Sequence, residues 1–508
     1  MDTAEKKLCA AMAGTLGLEQ YGPEDNFISR GGNIFLAAKA AKESGIDGLT
    51  PQMIMMGLTP GHIVRILKEK DGKKPAFTVG EALADEYPMT PAMLYNYFCC
   101  EATGAPIDIM DLKGLWELND DVDTGRLRDA LKKTISHYEG LNIGFRRDKA
   151  TFIRRKAGAP DIPVLELSED GLRDFLLKAG SRKRNVEVDD MIDATIIIFN
   201  GKPYLYMRIP HLVYDGMSIH NFLKDISAAY DGGEPIDEDA TIFDEGNYQK
   251  KVMESGFYEE ALSYYDRIFK DYPADPRKEM HDDYSTYFFN EKIGRLSEAD
   301  YKKYLKANGL TFGTVLQAAF IVALSKDLKK DKLVYRIFHS GRYDESMNNL
   351  QGTVARPILM LADIKREESA LDFLQKLQYR YFESVYYDVV PFTEMVKRYP
   401  DIDSGIVFNY RGNLLGSTDI VLDGKPNGFS ILGYLYGSDS KDAGHSHDIF
   451  DLMLDKTADG FSISGNSGYY SKEKVLEIMD DMKKAFNMFL KNETMGQVLE
   501  ALERPENR

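Results

Sequence analysis

The sequence predicts a mixed α/β fold, and three observations carry that prediction. Strand and helix patterns alternate between residues 116 and 230. Two of the strands are joined by Asn200-Gly201, a hairpin signal because both residues tolerate positive φ. The second strand runs through His211 into an Asp-Gly turn and then a helical pattern. A mixed sheet covered by helices is the architecture that satisfies all three.

Composition sets the limits. At 508 residues, 43% hydrophobic and 29% charged, the chain is longer than one ordinary domain of about 100–200 residues, so two or three globular units are expected. No run of about 18 apolar residues is present to span a bilayer. The first seven residues lack the basic-then-apolar order of a secretory signal, and Cys9, Cys99 and Cys100 are too few for a disulfide framework. A reducing cytoplasm is the expected home, without a membrane partner. The net charge of −17 argues against nucleic acid, whose binding calls for a basic face.

Taken in order, Leu8, Met12, Leu16 and Leu18 begin an amphipathic stretch, and helical patterns follow at residues 34–44 and 60–67. Turn signals at 21–25, 31–32 and 45–48 separate three or four short helices. Residues 68–75 are charged, with Gly and Pro, and read as an exposed link. A new unit starts at Tyr87-Pro-Met-Thr-Pro, and Trp116-Glu-Leu reads as its first core strand. Leu127, Leu131 and Ile135 mark a helix that exits at Gly140. Strand and helix signals at 151–154 and 165–177 lead to the hairpin of 194–199 and 204–209. In the latter, Leu205, Met207 and Ile209 alternate with Tyr204, Tyr206 and Arg208, the period of a half-buried strand. Ile219, Phe222, Leu223, Ile226 and Tyr230 then recur at helical spacing from Ser218 as the expected cap, until Gly232-Gly233. Later come a helix over 370–381, a strand over 406–410, a hairpin around Asp459-Gly460 and a closing helix from Val475 to Leu490.

His211 leaves a strand and Asp215 precedes a helix. An imidazole so placed can act as a base, its ordinary pKa being near neutrality. The other candidates have plainer readings. His445-Ser-His447 with Asp448 lacks a further ligand at metal spacing, so a solvated loop is expected. His339 adjoins Arg342 and can face the same cavity, although a packed or exposed side chain is expected; His137 is expected to be structural, His220 to lie on a helix face, and Cys99-Cys100 to be a buried apolar pair. Asn119-Asp-Asp-Val-Asp123 resembles a calcium loop, yet Thr124 takes the glycine position and Ala130 the terminal glutamate, which leaves a turn. Gly31-Gly32 is not followed by Lys-Ser/Thr and is no nucleotide loop.

Two resemblances sharpen this reading. Residues 24–38, Glu-Asp-Asn-Phe-Ile-Ser-Arg-Gly-Gly-Asn-Ile-Phe-Leu-Ala-Ala, resemble an acyl or peptidyl carrier domain, in which Gly-Gly-x-Ser opens the second helix and the serine bears phosphopantetheine. Here that position is Ile34. It has no oxygen for a phosphodiester, so a carrier-like bundle without its own arm is expected. Most of residues 88–490 resembles the condensation domains of nonribosomal peptide synthetases, relatives of chloramphenicol acetyltransferase. The matching segments are Met89-Thr-Pro-Ala-Met93, Ser136-His-Tyr-Glu-Gly-Leu, Pro210-His-Leu-Val-Tyr-Asp-Gly216, Ser340-Gly-Arg342 with Gly352, and Tyr387-Asp-Val-Val-Pro-Phe392, in the family's order.

The resemblance implies two chloramphenicol acetyltransferase-like lobes meeting in a V, preceded by a small four-helix bundle. The expected divisions are 1–72 for the bundle, 73–87 for a linker, 88–265 for the N-terminal lobe and 266–508 for the C-terminal lobe. It also implies roles: His211 as the catalytic histidine, Gly216 as a backbone contributor beside a developing oxyanion, and Asp215 held to Arg342 as architecture. The expected reaction is attack of an amine on an acyl or aminoacyl thioester, the phosphopantetheine arriving in trans on partner carrier domains. No cofactor or metal is expected to be bound by the chain itself. Pro210 replaces the family's first histidine, and Arg356 or a neighbour stands where asparagine is common. Phe408-Asn-Tyr-Arg-Gly resembles epimerization domains, but the glutamate those need falls at Phe338. A platform without chemistry, motivated by Ile34 and Pro210, is the third reading.

Overall fold

The computed structural model describes residues 2–70, 74–102, 111–156, 158, 160–275, 285–290, 298–412, 419–430, 432, 450–457, 460–491 and 493–503. The N-terminal unit is four helices: α1 (Thr3–Leu16), α2 (Ile34–Ser44), α3 (Pro51–Gly57) and α4 (Pro60–Lys70). Polar caps set their starts: the Asn33 side chain accepts from the amides of Phe35 and Leu36, and Thr50 caps α3. Leu8, Met12, Phe27, Ile54 and Ile63 are buried between them.

The way out of this bundle is pinned at two lysines. Helix α4 runs on to Lys70, whose ammonium donates to Glu383 at 2.8 Å and lies 4.6 Å from the Tyr387 ring centre. Lys74 is buried and donates to the Tyr386 carbonyl at 2.7 Å. Lys68 and Glu69 are exposed as expected, but Lys70 and Lys74 are drawn in, because lysine stems bury along aromatic faces while the ammonium finds oxygen or a ring. The bundle and the rest of the chain share one apolar core, with α3 wholly buried in it.

The next elements are β1 (Glu86–Pro88), α5 (Pro91–Ala102), β2 (Asp111–Glu117), α6 (Thr124–His137), β3 (Ile143–Arg146), β4 (Thr151–Arg154), β5 (Val164–Leu167), α7 (Glu169–Ser181), β6 (Asp193–Phe199), β7 (Lys202–Pro210), α8 (Gly216–Tyr230), α9 (Ile242–Glu254) and α10 (Phe257–Phe269). The first lobe is a sheet of order β2-β7-β6-β5, beside a small sheet β1-β4-β3. The β6–β7 hairpin turns through Asn200 and Gly201, both at positive φ. Strand β7 is buried on both faces rather than one. Leu205, Met207 and Ile209 pack in the core with α6 and α8, while Tyr204 and Tyr206 pack with Leu172 and Leu176 of α7. Alternation in β7 therefore separates two cores, not core from solvent. The lobe division expected at 265/266 falls inside α10.

The second lobe contains β8 (Ser285–Asn290), α11 (Glu298–Asn308), α12 (Phe312–Leu328), β9 (Lys332–His339), β10 (Arg356–Asp363), α13 (Ala370–Tyr386), α14 (Phe392–Arg398), β11 (Ile406–Gly412), β12 (Ile420–Leu422), β13 (Lys425–Asn427), β14 (Phe450–Thr457), β15 (Gly460–Ser467), α15 (Lys472–Phe489) and α16 (Met495–Glu503). Its sheet has the order β10-β9-β11-β14-β15-β8, with β11 parallel to both neighbours. Among the described residues no single helix is long and apolar enough to cross a membrane. Helix α12, apolar all round, is the buried centre of this lobe.

The lobes also exchange chain. After β13 the backbone returns to the edge of β2: Glu117 N–H donates to Gly428 O at 3.0 Å and Ser430 N–H to Leu115 O at 2.7 Å. The Phe429 ring lies on Trp116, centres 4.7 Å apart, in space left by Gly114, where a Cβ would come within 2.3 Å of that ring.

Candidate active site

The site is built where β7 ends. Pro210 O accepts from the amides of Val213 and Tyr214, which folds residues 210–214 into a turn and sets Asp215 as the N-cap of α8. The cap is Asp215, not Ser218, because its carboxylate reaches the amides of Met217 and Ser218 at 3.1 and 2.9 Å. The Ser218 hydroxyl turns instead to the second lobe, donating toward Gly352 O at 2.7 Å and accepting from Gly352 N–H at 3.0 Å.

Asp215 is fully buried and bound on both oxygens. Arg342 donates to Oδ2 at 2.8 Å and to Oδ1 at 3.1 Å, and the amides of Val354 and Ala355 donate to Oδ2 at 3.1 Å each. Burial alone raises its pKa; the Arg342 charge and these donors outweigh it and hold the carboxyl below its ordinary range. A carboxylate with six donors has no lone pair left over for a substrate proton. Arg342 is aimed by Gly341, at φ +66°, where a Cβ would come within 1.9 Å of Val354 O. It also donates to the Ser218 hydroxyl at 2.9 Å and Leu350 O at 3.1 Å.

His211 is the contrast. Its Nδ1 is buried without a hydrogen-bond partner among the described residues, while its carbonyl accepts from Asn96 of α5 at 3.0 Å. Burial lowers its pKa, with the backbone at His211 and Tyr214 and the Asp215 charge opposing, so the ring is neutral at neutral pH. A neutral imidazole is the form that accepts a proton. His211 and Gly216 both line a cavity of about 500 Å³ between the lobes. From the second lobe Phe338, His339, Ser340, Ala355, Val407 and Asn409 contribute to its wall. Gly216 is the first residue of α8, so its N–H has no acceptor within the helix.

Asn96 was not legible as a site residue. It is buried on α5, three residues beyond Met93, and ties Ala92 O, His211 O and the Thr353 hydroxyl together. His339, expected to be packed or exposed, is packed and also lines the cavity. Its Nδ1 accepts from Gly341 N–H at 3.1 Å and its Nε2 lies 3.3 Å from Asp388. Burial, joined by Arg356 and Lys74 against Asp388, lowers its pKa to about 4. Arg356 is buried and donates to Asp388 and Glu245 at 3.0 Å each. His220 lies on α8 at the cavity wall, and His137 pairs with Asp237 at 3.2 Å.

In the acidic turn, Asp123 caps α6 and Asp121 pairs with Lys425. No group of three His, Cys, Asp or Glu among the described residues can hold a metal. His445, His447 and Asp448 lie outside the described residues, as do the side chains of Cys99 and Cys100. Ile34 is the first residue of α2, partly buried against the bundle core. Its hydrocarbon side chain does not fit a phosphopantetheine attachment.

Comparison with known proteins bears on this geometry. A family model described as Condensation domain matches residues 108–502. Surfactin synthase subunit 2 of Bacillus subtilis (strain 168) is 21% identical over 420 residues; the match takes in 78% of this chain and 11% of that synthase. The chain thus spans about a tenth of the length of such relatives. Among solved structures, the complex of the X-domain and OxyB from teicoplanin biosynthesis matches with a TM-score of 0.66 at 13% identity, over 84% of this chain and 98% of that one. The first condensation domain of the calcium-dependent antibiotic synthetase, in complex with a substrate analogue, matches with a TM-score of 0.62 at 13% identity, over 82% and 99%. Two mixed-sheet lobes are thus a shared fold, and with a family match over most of its length the chain belongs to the condensation-domain family.

Proposed function

We propose that the chain is an acyltransferase that forms an amide between a carrier-bound acyl or aminoacyl thioester and an amine. The observation that carries the reading is His211: a partly buried neutral imidazole whose Nδ1 has no hydrogen-bond partner among the described residues, at a cavity between the lobes. In this reaction the amine nitrogen attacks the thioester carbonyl carbon, forming the C–N bond. His211 accepts the amine proton, or orients the amine while the proton leaves. The oxyanion of the tetrahedral species lies toward the Gly216 N–H at the start of α8, where the helix dipole favours negative charge. Collapse breaks the C–S bond, and the proton passes to the departing pantetheine sulfur. Asp215 and Arg342 fix the corner without touching the reactants. Holding both reactants in one cavity supplies a large part of the acceleration.

Partner carrier domains bring the phosphopantetheine arm, since Ile34 gives this chain no site for one. The N-terminal bundle is then a carrier-like docking unit. Epimerization fits less well, because Phe338 stands at the cavity where that chemistry needs a second acid–base group. A platform without turnover is the second reading; Pro210, Ile34 and the likeness to an X-domain seen in complex with OxyB favour it.

Incubation with separately loaded donor and acceptor carriers, followed by intact mass spectrometry beside His211→Ala, distinguishes these readings. The expected result is amide product that falls about 10²–10⁴-fold in rate in the variant. Carrier binding with no transfer, unchanged by His211→Ala, overturns the acyltransferase in favour of the platform.

A further inference from the structure

We infer that the donor is an acyl group with a neutral hydrocarbon chain, an inference that rests on the amide-forming reading above. The register of β2 on β7 sets Leu112 opposite Ile209 and Gly114 opposite Met207, so the apolar side chains of both strands share one face. Ile219 and Leu223, one turn apart on α8, lie over that face, and the Trp116–Phe429 pair closes it. Leu112, Trp116, Met207, Ile209, Ile219 and Leu223 therefore form a continuous apolar wall leading from His211. The cavity volume, about 500 Å³, falls within the range of about 300–1,000 Å³ typical of small-molecule sites.

The charge of the described lining weighs against an aminoacyl donor. Among the described residues that line the cavity none is Asp or Glu, while Lys113 is present. The α-ammonium of an aminoacyl group would be desolvated there without a carboxylate, which is costly. A hydrocarbon chain meets no such cost, and each buried methylene tightens binding by about fourfold.

The chain has a single tryptophan, and Trp116 forms part of the cavity wall, so its fluorescence reports occupancy. The experiment titrates the full chain with non-transferable pantetheine thioethers carrying ethyl, hexyl or octyl tails, or tails ending in an ammonium or a carboxylate. The octyl probe is expected to saturate the signal, with affinity rising on the order of tenfold per two methylenes and the charged probes at least about tenfold weaker than octyl. Ile219→Asp should raise the octyl Kd at least about tenfold by placing a charge in the wall, and Ile219→Phe, a milder change, should shift preference from octyl to hexyl. Affinity independent of tail length, or a charged probe binding as well as octyl, overturns the inference. Octyl binding with no His211-dependent amide formation would overturn the amide-forming reading and leave the hydrocarbon site standing. Amide formation without tail dependence would do the reverse.

Discussion

Two buried arginines join the halves of this molecule, and they are seated differently. Arg342 meets Asp215 through two parallel hydrogen bonds, and the carboxylate takes four more donors from backbone amides. Arg356 bridges Asp388 and Glu245 in a cluster with Lys74 and His339, where Arg356 Nη2, Asp388 Oδ1 and His339 Nε2 are left without hydrogen bonds. The contrast lies in the carboxylates: both Asp215 oxygens are bonded, although Arg342 Nε has no partner among the described residues, whereas Asp388 Oδ1 has none. In a low-dielectric interior a saturated carboxylate fixes one geometry, while one left short of donors makes the energies of its neighbours depend on their charge states. The first joint therefore holds the His211 corner; the second is where pH and the segment after the N-terminal bundle reach the cavity wall.

The largest effect tests the first joint. Arg342→Ala strands a buried carboxylate and should cost about 3–5 kcal/mol of stability, read by chemical denaturation. A loss below about 1 kcal/mol would break the comparison, since Arg342 would then hold nothing. Ser218→Ala sharpens the same joint: its hydroxyl serves Arg342 and the Gly352 backbone, so about 1–3 kcal/mol should be lost. The double variant with Arg342→Ala should lose less than the two singles together, because they share partners. Additive losses would separate Ser218 from the network.

At the second joint Lys74→Met should cost about 1–2 kcal/mol, less than Arg342→Ala. Lys74 has one short bond, to Tyr386 O, and stands 3.7 Å from Asp388, while burial already lowers its pKa. A loss equal to that of Arg342→Ala would make the two joints equivalent. The smallest effect at neutral pH is His339→Asn, which keeps an acceptor for Gly341 N–H. His339 has a folded pKa of about 4 against an ordinary value near 6.5, so as pH falls the unfolded chain takes the proton first. Its contribution to stability is complete above about pH 6.5 and is lost progressively down to about 4. The variant should flatten the fall of the unfolding midpoint across that window and change little at pH 7. An unaltered pH profile would show that His339 is not held neutral by its surroundings.

Much of this site was legible in the chain because its signals are short-range. The Asn200-Gly201 turn, the alternation of residues 204–209 and the helix after Gly216 each follow from neighbours a few residues apart. Ile34 needs no fold to be read, since a side chain without oxygen cannot carry a phosphodiester. The order of motifs around His211, Asp215 and Arg342 pointed to one corner, and the fold brings Asp215 and Arg342 into contact there. The reading failed where a distant element supplied the environment. The expected Ser218 cap was displaced because Gly352 and Arg342 claim its hydroxyl. The strand read as half-buried is buried on both faces because α7 covers the second. The link read as exposed is pinned because α13 presents Tyr386 and Glu383 to Lys74 and Lys70.

By itself, the sequence determined the local elements, the chemistry available at each position and the absence of an attachment oxygen at residue 34. Tertiary structure alone decided which polar groups are spent and which are spare. Asp215 is saturated and His211 is not, although they stand four residues apart, because hydrogen-bond satisfaction and desolvation depend on what packs against a side chain from remote parts of the chain. The same holds for the cavity wall, where Trp116 near the start of one lobe meets Phe429 from the far end of the other, a contact that periodicity cannot encode.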